Sequence, residues 1–194
     1  MKETKAALRL YIESVINDNS LQNYFESVLD SFFLLKLSKN EFLVEEGKVC
    51  PYFCFVQSGI LQHAINIGGE ERTTYLALKN SVTTALNSFK NKLPSRKYVR
   101  ALCDTYIWAL DFDTFHQLLE TNEGFYRFYF NLIENQIFRI DDYRIDLLTL
   151  SPEERYKKLL INEPTLLREV PLHYLASFLG ISSRNMSRIR RNIK

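Results

Sequence analysis

The sequence is poor in the residues that build disulfide-linked and membrane-spanning frameworks. Its 194 residues include three cysteines, three histidines and one tryptophan. Cys50, Cys54 and Cys103 are an odd and sparse set, which favours free thiols in a reducing cytoplasm over a disulfide scaffold. No run of about 18 apolar residues occurs, so we expect no transmembrane helix and no membrane partner. The first five residues include an acid and lead into an amphipathic stretch, which is not the pattern of a signal peptide.

Patterns that carry catalytic or cofactor chemistry are also missing. The sequence has no glycine-rich phosphate loop, no Ser/His/Asp or Cys/His arrangement and no cluster of metal ligands. We therefore predict that the protein is not an enzyme and has no catalytic residue and no metal site. An iron–sulfur cluster needs about four cysteine ligands, and His63, His116 and His173 are too scattered to indicate a haem site. We assign no cofactor.

The charges are distributed unevenly along the chain. The formal net charge is only +2, but residues 151–194 contain nine Lys and Arg against four Asp and Glu. Residues 1–150 carry sixteen against nineteen. A basic segment on a mildly acidic body is typical of a nucleic-acid-binding module fused to a sensing or assembly domain. The alternative is a solvated C-terminal helix that is basic without a nucleic-acid partner.

The last 24 residues have the pattern of a helix-turn-helix. The first helix is predicted at residues 171–179, and its apolar face consists of Leu172, Leu175, Ala176 and Leu179. Pro171 suits the first turn of this helix, because its missing N–H would have no partner there. Gly180 can adopt the positive φ of a sharp corner, and Ser182 or Ser183 can cap the following helix.

The second helix of this motif, residues 183–194, carries five positive charges and no acid. Met186, Ile189 and Ile193 lie at helical spacing on one face. The residues that point away from this face are Arg184, Asn185, Ser187, Arg188 and Arg191. Such a layout allows a basic helix to enter a DNA major groove while its partner helix supports it.

The rest of the chain alternates between helical and strand-rich parts. Residues 5–29 have helical periodicity, whereas residues 32–110 contain short strands at intervals of about ten residues, which favours a sandwich or barrel. A largely polar segment at residues 79–97 interrupts these strands. A short helix starts near Asp113, and Ser151-Pro152-Glu153-Glu154 is a helix start with a cap, a proline and two acids in the first turn.

A long helix is predicted at residues 125–148, after a break at residues 121–124. It contains no proline and no internal glycine, and at ~1.5 Å per residue it would span roughly 36 Å. Its apolar residues fall on more than one side. They allow two interpretations: a helix that covers both its own domain and a partner, or a single buried core helix.

The order of these parts resembles the Crp/Fnr family of bacterial transcription regulators, over nearly the whole chain. The phrases that carry the resemblance are Gly47 after Glu45-Glu46, residues 55–61, residues 94–102, residues 151–156, residues 175–182 and residues 186–190. Each phrase is weak alone, but their order and spacing are specific.

The resemblance implies an α+β fold with three parts. The first is an N-terminal β jelly-roll of the cyclic-nucleotide-binding type at residues 1–120, which forms the effector or sensor domain together with its N-terminal helices. The second is a long dimerisation helix at residues 121–150, and the third is a C-terminal helix-turn-helix at residues 151–194. The last part would be winged-helix-like with a short or absent wing, since the chain ends after the second helix.

The resemblance also implies the function and the partners. We expect a cytoplasmic, homodimeric regulator that binds double-stranded DNA at half-sites about 34 Å apart. RNA polymerase and an unknown small-molecule effector are left open as further partners.

By the same resemblance, the base-contacting positions fall on the exposed early turns of the second helix. The residues there are Ser183, Arg184, Asn185, Ser187 and Arg188. Arg188 stands where the family usually has an arginine and could read a guanine bidentately. Arg184 stands where many members have a glutamate, so their operator is not expected here. Arg190, Arg191 and Lys194 are better placed to contact phosphates.

The effector site departs from the cyclic-AMP-binding members of the family. Those members use a Gly-Glu pair and a following arginine to hold the ribose and the cyclic phosphate. The corresponding positions here are Thr84, Ala85 and Ser95, with Arg96 one place from the arginine position. We therefore expect that this protein does not bind cyclic AMP in the usual way of the family.

A function of another class is also open, namely a signalling or protein-interaction module, built on the same roll, that does not bind DNA.

Overall fold

The computed structural model describes residues 5–193, which begin with a short helical segment packed on the roll. It consists of α1 (Ala6–Ile16), a 3₁₀ helix (Asn19–Tyr24) and α2 (Phe25–Ser31). Leu8, Ile12 and Ile16 recur every four residues and are buried, so one face of α1 joins the main core.

Eight antiparallel strands within the described residues form two four-stranded sheets. They are β1 (Phe33–Leu37), β2 (Phe42–Val44), β3 (Tyr52–Ser58), β4 (Leu61–Ile67), β5 (Glu70–Ala77), β6 (Val82–Thr83), β7 (Tyr98–Ala101) and β8 (Thr105–Asp111). The strand orders are β1-β8-β3-β6 and β2-β7-β4-β5, so the chain crosses repeatedly between the sheets, as in a jelly roll. The predicted α+β jelly-roll fold is confirmed.

Phenylalanine side chains fill much of the core. The fully buried ones are Phe25, Phe32, Phe53, Phe55, Phe89, Phe115, Phe125 and Phe128. Strand β3 buries four consecutive residues, 53–56, because it is covered on both faces. On one face Tyr11 of α1 packs on Phe55 with ring centroids 5.4 Å apart. The high phenylalanine and tyrosine content is therefore explained by helix-on-sheet packing.

The polar segment at residues 79–97 contains two short elements that the sequence pattern does not predict. Strand β6 pairs with β3, with Thr83 opposite Cys54, and helix α3 (Leu86–Asn91) follows it. Phe89 of α3 is buried against Phe115, with centroids 5.1 Å apart. A strand of two residues and a helix of six are too short to show periodicity.

The long helix begins earlier than predicted. After α4 (Phe112–Thr121), α5 spans Glu123–Thr149. The predicted break at residues 121–124 is therefore reduced to Asn122, and the prediction is wrong for the other three residues. Asn122 caps α5, because its side chain accepts a hydrogen bond of 2.8 Å from the Phe125 N–H. Gly124 lies inside the first turn, where an added Cβ would stand 2.7 Å from the Cβ of Tyr24. Glycine is thus required for close packing and does not interrupt the helix.

Only the first part of α5 belongs to the core. Its fully buried residues are Gly124, Phe125 and Phe128, whereas many apolar residues of its later turns are exposed. The exposed apolar residues are Tyr126, Phe130, Ile137, Phe138, Ile140, Ile145, Leu147 and Leu148. The interpretation of this helix as a single buried core helix is therefore wrong.

Four further helices complete the chain within the described residues. They are α6 (Pro152–Asn162), α7 (Pro164–Glu169), α8 (Leu172–Phe178) and α9 (Ser183–Asn192). The start of α6 is as predicted, with a capping box between Ser151 and Glu154, but α7 was not predicted. These helices share a second apolar cluster with Ile60, Leu76 and Leu102 of the roll. The C-terminal helices are therefore packed directly on the roll.

Candidate nucleic-acid interface and effector pocket

The corner between α8 and α9 is built by glycine and serine. Gly180 has φ +69°, the Gly180 N–H donates to the Ser177 carbonyl at 3.1 Å, and the Ile181 N–H donates to the Ala176 carbonyl at 3.0 Å. These two bonds form a Schellman motif, which ends α8 and turns the chain. Ser182 then caps α9 by accepting a bond of 3.2 Å from the Asn185 N–H.

Helix α8 begins one residue later than predicted. Pro171 has ψ 142° and occupies the N-cap position, so it precedes the first helical turn instead of opening it. The predicted apolar face is otherwise present. Leu175, Ala176 and Leu179 are buried and Leu172 is half-buried.

Helix α9 presents one apolar and one basic face. Met186 and Ile189 are buried against the second apolar cluster, and Ile193 is partly buried beside them. The exposed residues include every described member of the predicted DNA-binding set, namely Ser183, Arg184, Asn185, Ser187, Arg188, Arg190 and Arg191. Lys194, the remaining member, lies outside the described residues. Because residues 183–193 contain no acid, every charge on the exposed face is positive.

The residues at the predicted effector positions flank one loop of the roll. Thr84 and Ala85 immediately precede α3, and the Thr84 hydroxyl donates to the Tyr52 carbonyl at 2.9 Å. Ser95 is buried, and its N–H donates to the Lys48 carbonyl at 2.8 Å. Arg96 is exposed. The Ser95 hydroxyl donates to the Lys97 carbonyl at 2.5 Å. The hydroxyls of Thr84 and Ser95 are therefore bonded within the chain, and neither position supplies a charge.

Sequence reasoning missed a buried polar group inside the roll. The His63 Nε2 lies 2.6 Å from the Thr83 hydroxyl, and its ring meets Tyr75 edge to face with centroids 5.4 Å apart. The Nδ1 of His63 is buried and has no hydrogen-bond partner among the described residues. Burial, and secondarily the nearby positive charge of Lys97, holds the pKa of His63 well below its usual value. His63 is therefore neutral at pH 7.

Residues that join α8 to the rest of the molecule were also missed. Tyr143 of α5 and Ser177 of α8 both make hydrogen bonds between units of the fold. No local sequence signal identifies them, since each has its partner more than 30 residues away along the chain.

The features that would indicate other classes of site are few. The three cysteines are free, and no group of three or more potential metal ligands occurs within residues 5–193. Over the same residues, no helix is long and apolar enough to cross a membrane.

Comparisons with known proteins agree with this architecture. Residues 34–122 match the family model of the cyclic nucleotide-binding domain. No curated protein sequence matches the chain. The catabolite activator protein of Thermus thermophilus is similar in structure, with 20% identity and a TM-score of 0.58 over 92% of this chain and 86% of that one.

Two further solved structures resemble most of the chain. FixK2 of Bradyrhizobium japonicum has 14% identity and a TM-score of 0.71 over 84% of both chains. A transcriptional regulator of the Crp/Fnr family from Eubacterium rectale has 14% identity and a TM-score of 0.64 over 90% of this chain and 82% of that one. This chain shares with these structures a fold in which a roll is followed by a long helix and a helix-turn-helix. The predicted resemblance to the Crp/Fnr family is confirmed, and it extends from the roll through the long helix to the helix-turn-helix.

Proposed function

We propose that the protein is a homodimeric, sequence-specific DNA-binding transcription regulator of the Crp/Fnr type that acts in the cytoplasm. The observation that carries this proposal is the exposed, acid-free basic face of α9. Met186 and Ile189 anchor the opposite face of the helix, so the basic face is held outward on a rigid support. A helix of this kind fits the DNA major groove.

The proposal assigns different contacts to the two ends of α9. The first two turns, which hold Ser183, Arg184, Asn185, Ser187 and Arg188, would contact base edges. Arg188 would bind a guanine bidentately. Arg190 and Arg191 stand near the other end and would bind phosphates, as would Lys194 beyond the described residues. In this account residues 151–194 are the DNA-binding domain and residues 1–120 the sensor domain.

The long helix supports the dimer. Residues 126–138 of α5 line an open apolar groove that includes Tyr126, Phe130, Ile133 and Ile137. Exposed apolar surface of this extent is typical of a protein–protein interface. A second copy of the chain is the occupant we propose, since residues 121–150 then bring two copies of α9 to one face, as a two-fold operator requires.

The sensor domain has no residues that indicate cyclic AMP as its effector. Ala85 supplies no carboxylate for a ribose, and Ser95 supplies no cation for a cyclic phosphate. If the protein has an effector, we propose that it differs from cyclic AMP and that it binds in a pocket lined by Thr84, Ala85, Ser95 and Arg96. We propose neither a cofactor nor a catalytic activity.

A mobility-shift assay with genomic fragments at graded salt tests the DNA-binding proposal. We expect specific binding that persists at ~150 mM salt, because base contacts add to the salt-sensitive attraction of the phosphates.

Two substitutions in α9 separate base contacts from phosphate contacts. Arg188→Ala should relax the preference at one base-pair position at a cost of roughly 1–3 kcal/mol, whereas Arg191→Ala should lower the affinity for all DNA sequences alike.

The matched control is Arg72→Ala, which removes an exposed arginine from the roll, where it pairs with Glu70 at 2.5 Å. This control should bind like the unaltered protein. A different result would favour the alternative of a protein-interaction module that does not bind DNA. In that case binding would be weak, would disappear steeply with salt and would change in neither Arg188→Ala nor Arg191→Ala.

A further inference from the structure

The Ser177 hydroxyl joins α8 to the edge of a sheet of the roll. Its oxygen accepts a hydrogen bond of 2.9 Å from the Thr73 N–H, and the same hydroxyl donates to the Glu71 carbonyl at 3.2 Å. A serine hydroxyl has one donor and can accept at the same time, so both bonds can form together. One side chain thus satisfies a donor and an acceptor of the same strand.

The strand that Ser177 contacts is an edge strand. Strand β5 ends the order β2-β7-β4-β5, so its outer N–H and C=O groups have no neighbouring strand. The Ser177 hydroxyl takes the place that a further strand would occupy. Strand β5 is also tied firmly to the roll at this point, because the Glu71 carboxylate accepts bonds from Arg100 at 2.9 Å and from Gln62 at 2.8 Å, and also from Tyr98.

A second side chain holds the same end of α8 from the long helix. The Tyr143 hydroxyl donates to the Phe178 carbonyl at 3.2 Å, and the two rings stack with centroids 5.8 Å apart and planes 20° apart. The last carbonyls of a helix have no partner within the helix. Tyr143 therefore satisfies a helix-end carbonyl at a position directly next to Ser177.

The two polar contacts lie beside an apolar interface. Ile60, Leu76 and Leu102 of the roll are buried in one cluster with Leu175 and Leu179 of α8. Apolar packing alone is not directional, whereas the hydrogen bonds of Ser177 and Tyr143 depend on position and angle. The polar contacts thus select one orientation among those that the apolar surface permits.

Helix α9 follows α8 after a tight corner, and its Met186 and Ile189 are buried in the same apolar cluster as Leu175 and Leu179 of α8. We infer that Ser177 and Tyr143 form a two-point clamp on the end of α8 that fixes the orientation of α9 relative to the roll and the long helix. Both are positioning residues, because neither lies on the exposed face of α9. In a dimer the clamp would set the distance between two copies of α9 and therefore the preferred half-site spacing. Only this consequence rests on the proposed DNA-binding function.

Distances between spin labels test the clamp without DNA. Cysteines are placed at the exposed residues Lys48 in the roll and Asn192 at the end of α9, in a Cys103→Ser background. Labelled chains are diluted in unlabelled ones, so that pulsed electron double resonance reads distances within a chain. Ser177→Ala removes both edge-strand bonds, and Tyr143→Phe removes one bond and keeps the stacked ring.

The control is Ser31→Ala, since the Ser31 hydroxyl donates to the Ser27 carbonyl of its own helix at 2.8 Å and has no other hydrogen bond among the described residues. We expect a single narrow distance distribution for the unaltered protein and for Ser31→Ala, and a broader or shifted one for Ser177→Ala and Tyr143→Phe. Thr73 amide exchange should also be at least about tenfold faster in Ser177→Ala. Unchanged distances in both clamp variants, or equal broadening in the control, would overturn the inference.

DNA selection completes the test with the same variants. Ser177→Ala should accept a wider range of half-site spacings and keep the half-site sequence of the unaltered protein. A variant with broadened distances but the original spacing preference would overturn the positioning role. If no form of the protein bound DNA, the proposed function would fail, and the label distances would still decide whether the clamp exists.

Discussion

At the scale of single residues, His63 shows how the interior of the roll differs from an ordinary apolar core. Its ring is buried between Thr83 and Tyr75, with one nitrogen bonded and the other unpaired. Lys97 nearby is itself largely buried, and burial lowers its pKa. A proton on His63 would therefore have neither solvent nor an acid to stabilise it.

This burial predicts a pH dependence of stability that can be traced to His63. The pKa of His63 lies well below its usual value in the folded state, whereas in the unfolded chain it returns to about 6.5. Below about pH 6.5 the unfolded state therefore binds a proton that the folded state does not. The contribution of neutral, buried His63 to the free energy of unfolding is fully present above about pH 6.5. It is lost as the pH falls below this value, by at most about 1.4 kcal/mol per pH unit.

Chemical denaturation at several pH values between about 7 and 5 measures this loss. His63→Gln cannot take up the proton, so its free energy of unfolding should fall less steeply than that of the unaltered protein. Parallel curves for the two proteins would contradict the assignment to His63.

Several residues that were placed wrongly or missed from the sequence have roles that depend on distant partners. Gly124 looked like a break, but it packs against Tyr24, a hundred residues earlier in the chain. Ser177 had no signal, because the edge of β5 to which it binds is defined only by the folded sheet. In contrast, Gly180 and the serine cap of α9 were predictable, since a turn and a cap are local features.

At the scale of elements, the long helix exposes many apolar side chains that nothing in the single chain covers. Its later turns carry Ile137, Phe138 and Ile140, which are exposed in a single chain although each is strongly apolar. The length of this helix was predictable from its unbroken periodicity. Its partial exposure was not, because periodicity identifies an apolar face but not what covers it.

A charge on this face is expected to separate the proposed dimer. Ile137→Glu should convert the protein to monomers in analytical ultracentrifugation, because two copies of the charge would be desolvated in the interface. The free energy of unfolding of the monomer should change little, since Ile137 lies outside the core. Asn135→Glu adds the same charge at an exposed position that does not line the apolar groove, and it should remain dimeric. Monomeric behaviour of both variants, or of neither, would argue against this face as the interface.

The short elements mark the limit of pattern-based prediction. The described strands lie within residues 33–111, in close agreement with the strand-rich part predicted at residues 32–110, because branched and aromatic residues alternate there with clear turns. Strand β6 and helices α3 and α7 have two to six residues each and gave no pattern. Two of these, β6 and α3, surround Thr84 and Ala85, so the effector region is the part of the roll that the sequence defined least.

At the scale of the whole molecule, the architecture joins a roll, a long helix and a helix-turn-helix through shared apolar packing. The fold class was predictable because many short sequence segments occur in the same order as in the Crp/Fnr family. The docking of the C-terminal helices on Ile60, Leu76 and Leu102 was not predictable, because it requires the strands to be assembled first.

Cyclic AMP is expected not to stabilise the protein. Without a carboxylate at Ala85 or a cation at Ser95, micromolar cyclic AMP should leave the melting temperature unchanged, since a ligand stabilises a protein only if it binds the folded state. A saturating rise in melting temperature would show that the roll binds this nucleotide by other contacts.

Selection of binding sites from a random pool of double-stranded DNA tests the central claim most directly. We expect enrichment of a pseudo-palindrome whose half-sites lie about one helical turn, ~34 Å, apart, with a preferred guanine that is lost in Arg188→Ala. Failure to enrich any sequence, or enrichment of a single unrepeated site that Arg188→Ala leaves unchanged, would contradict it.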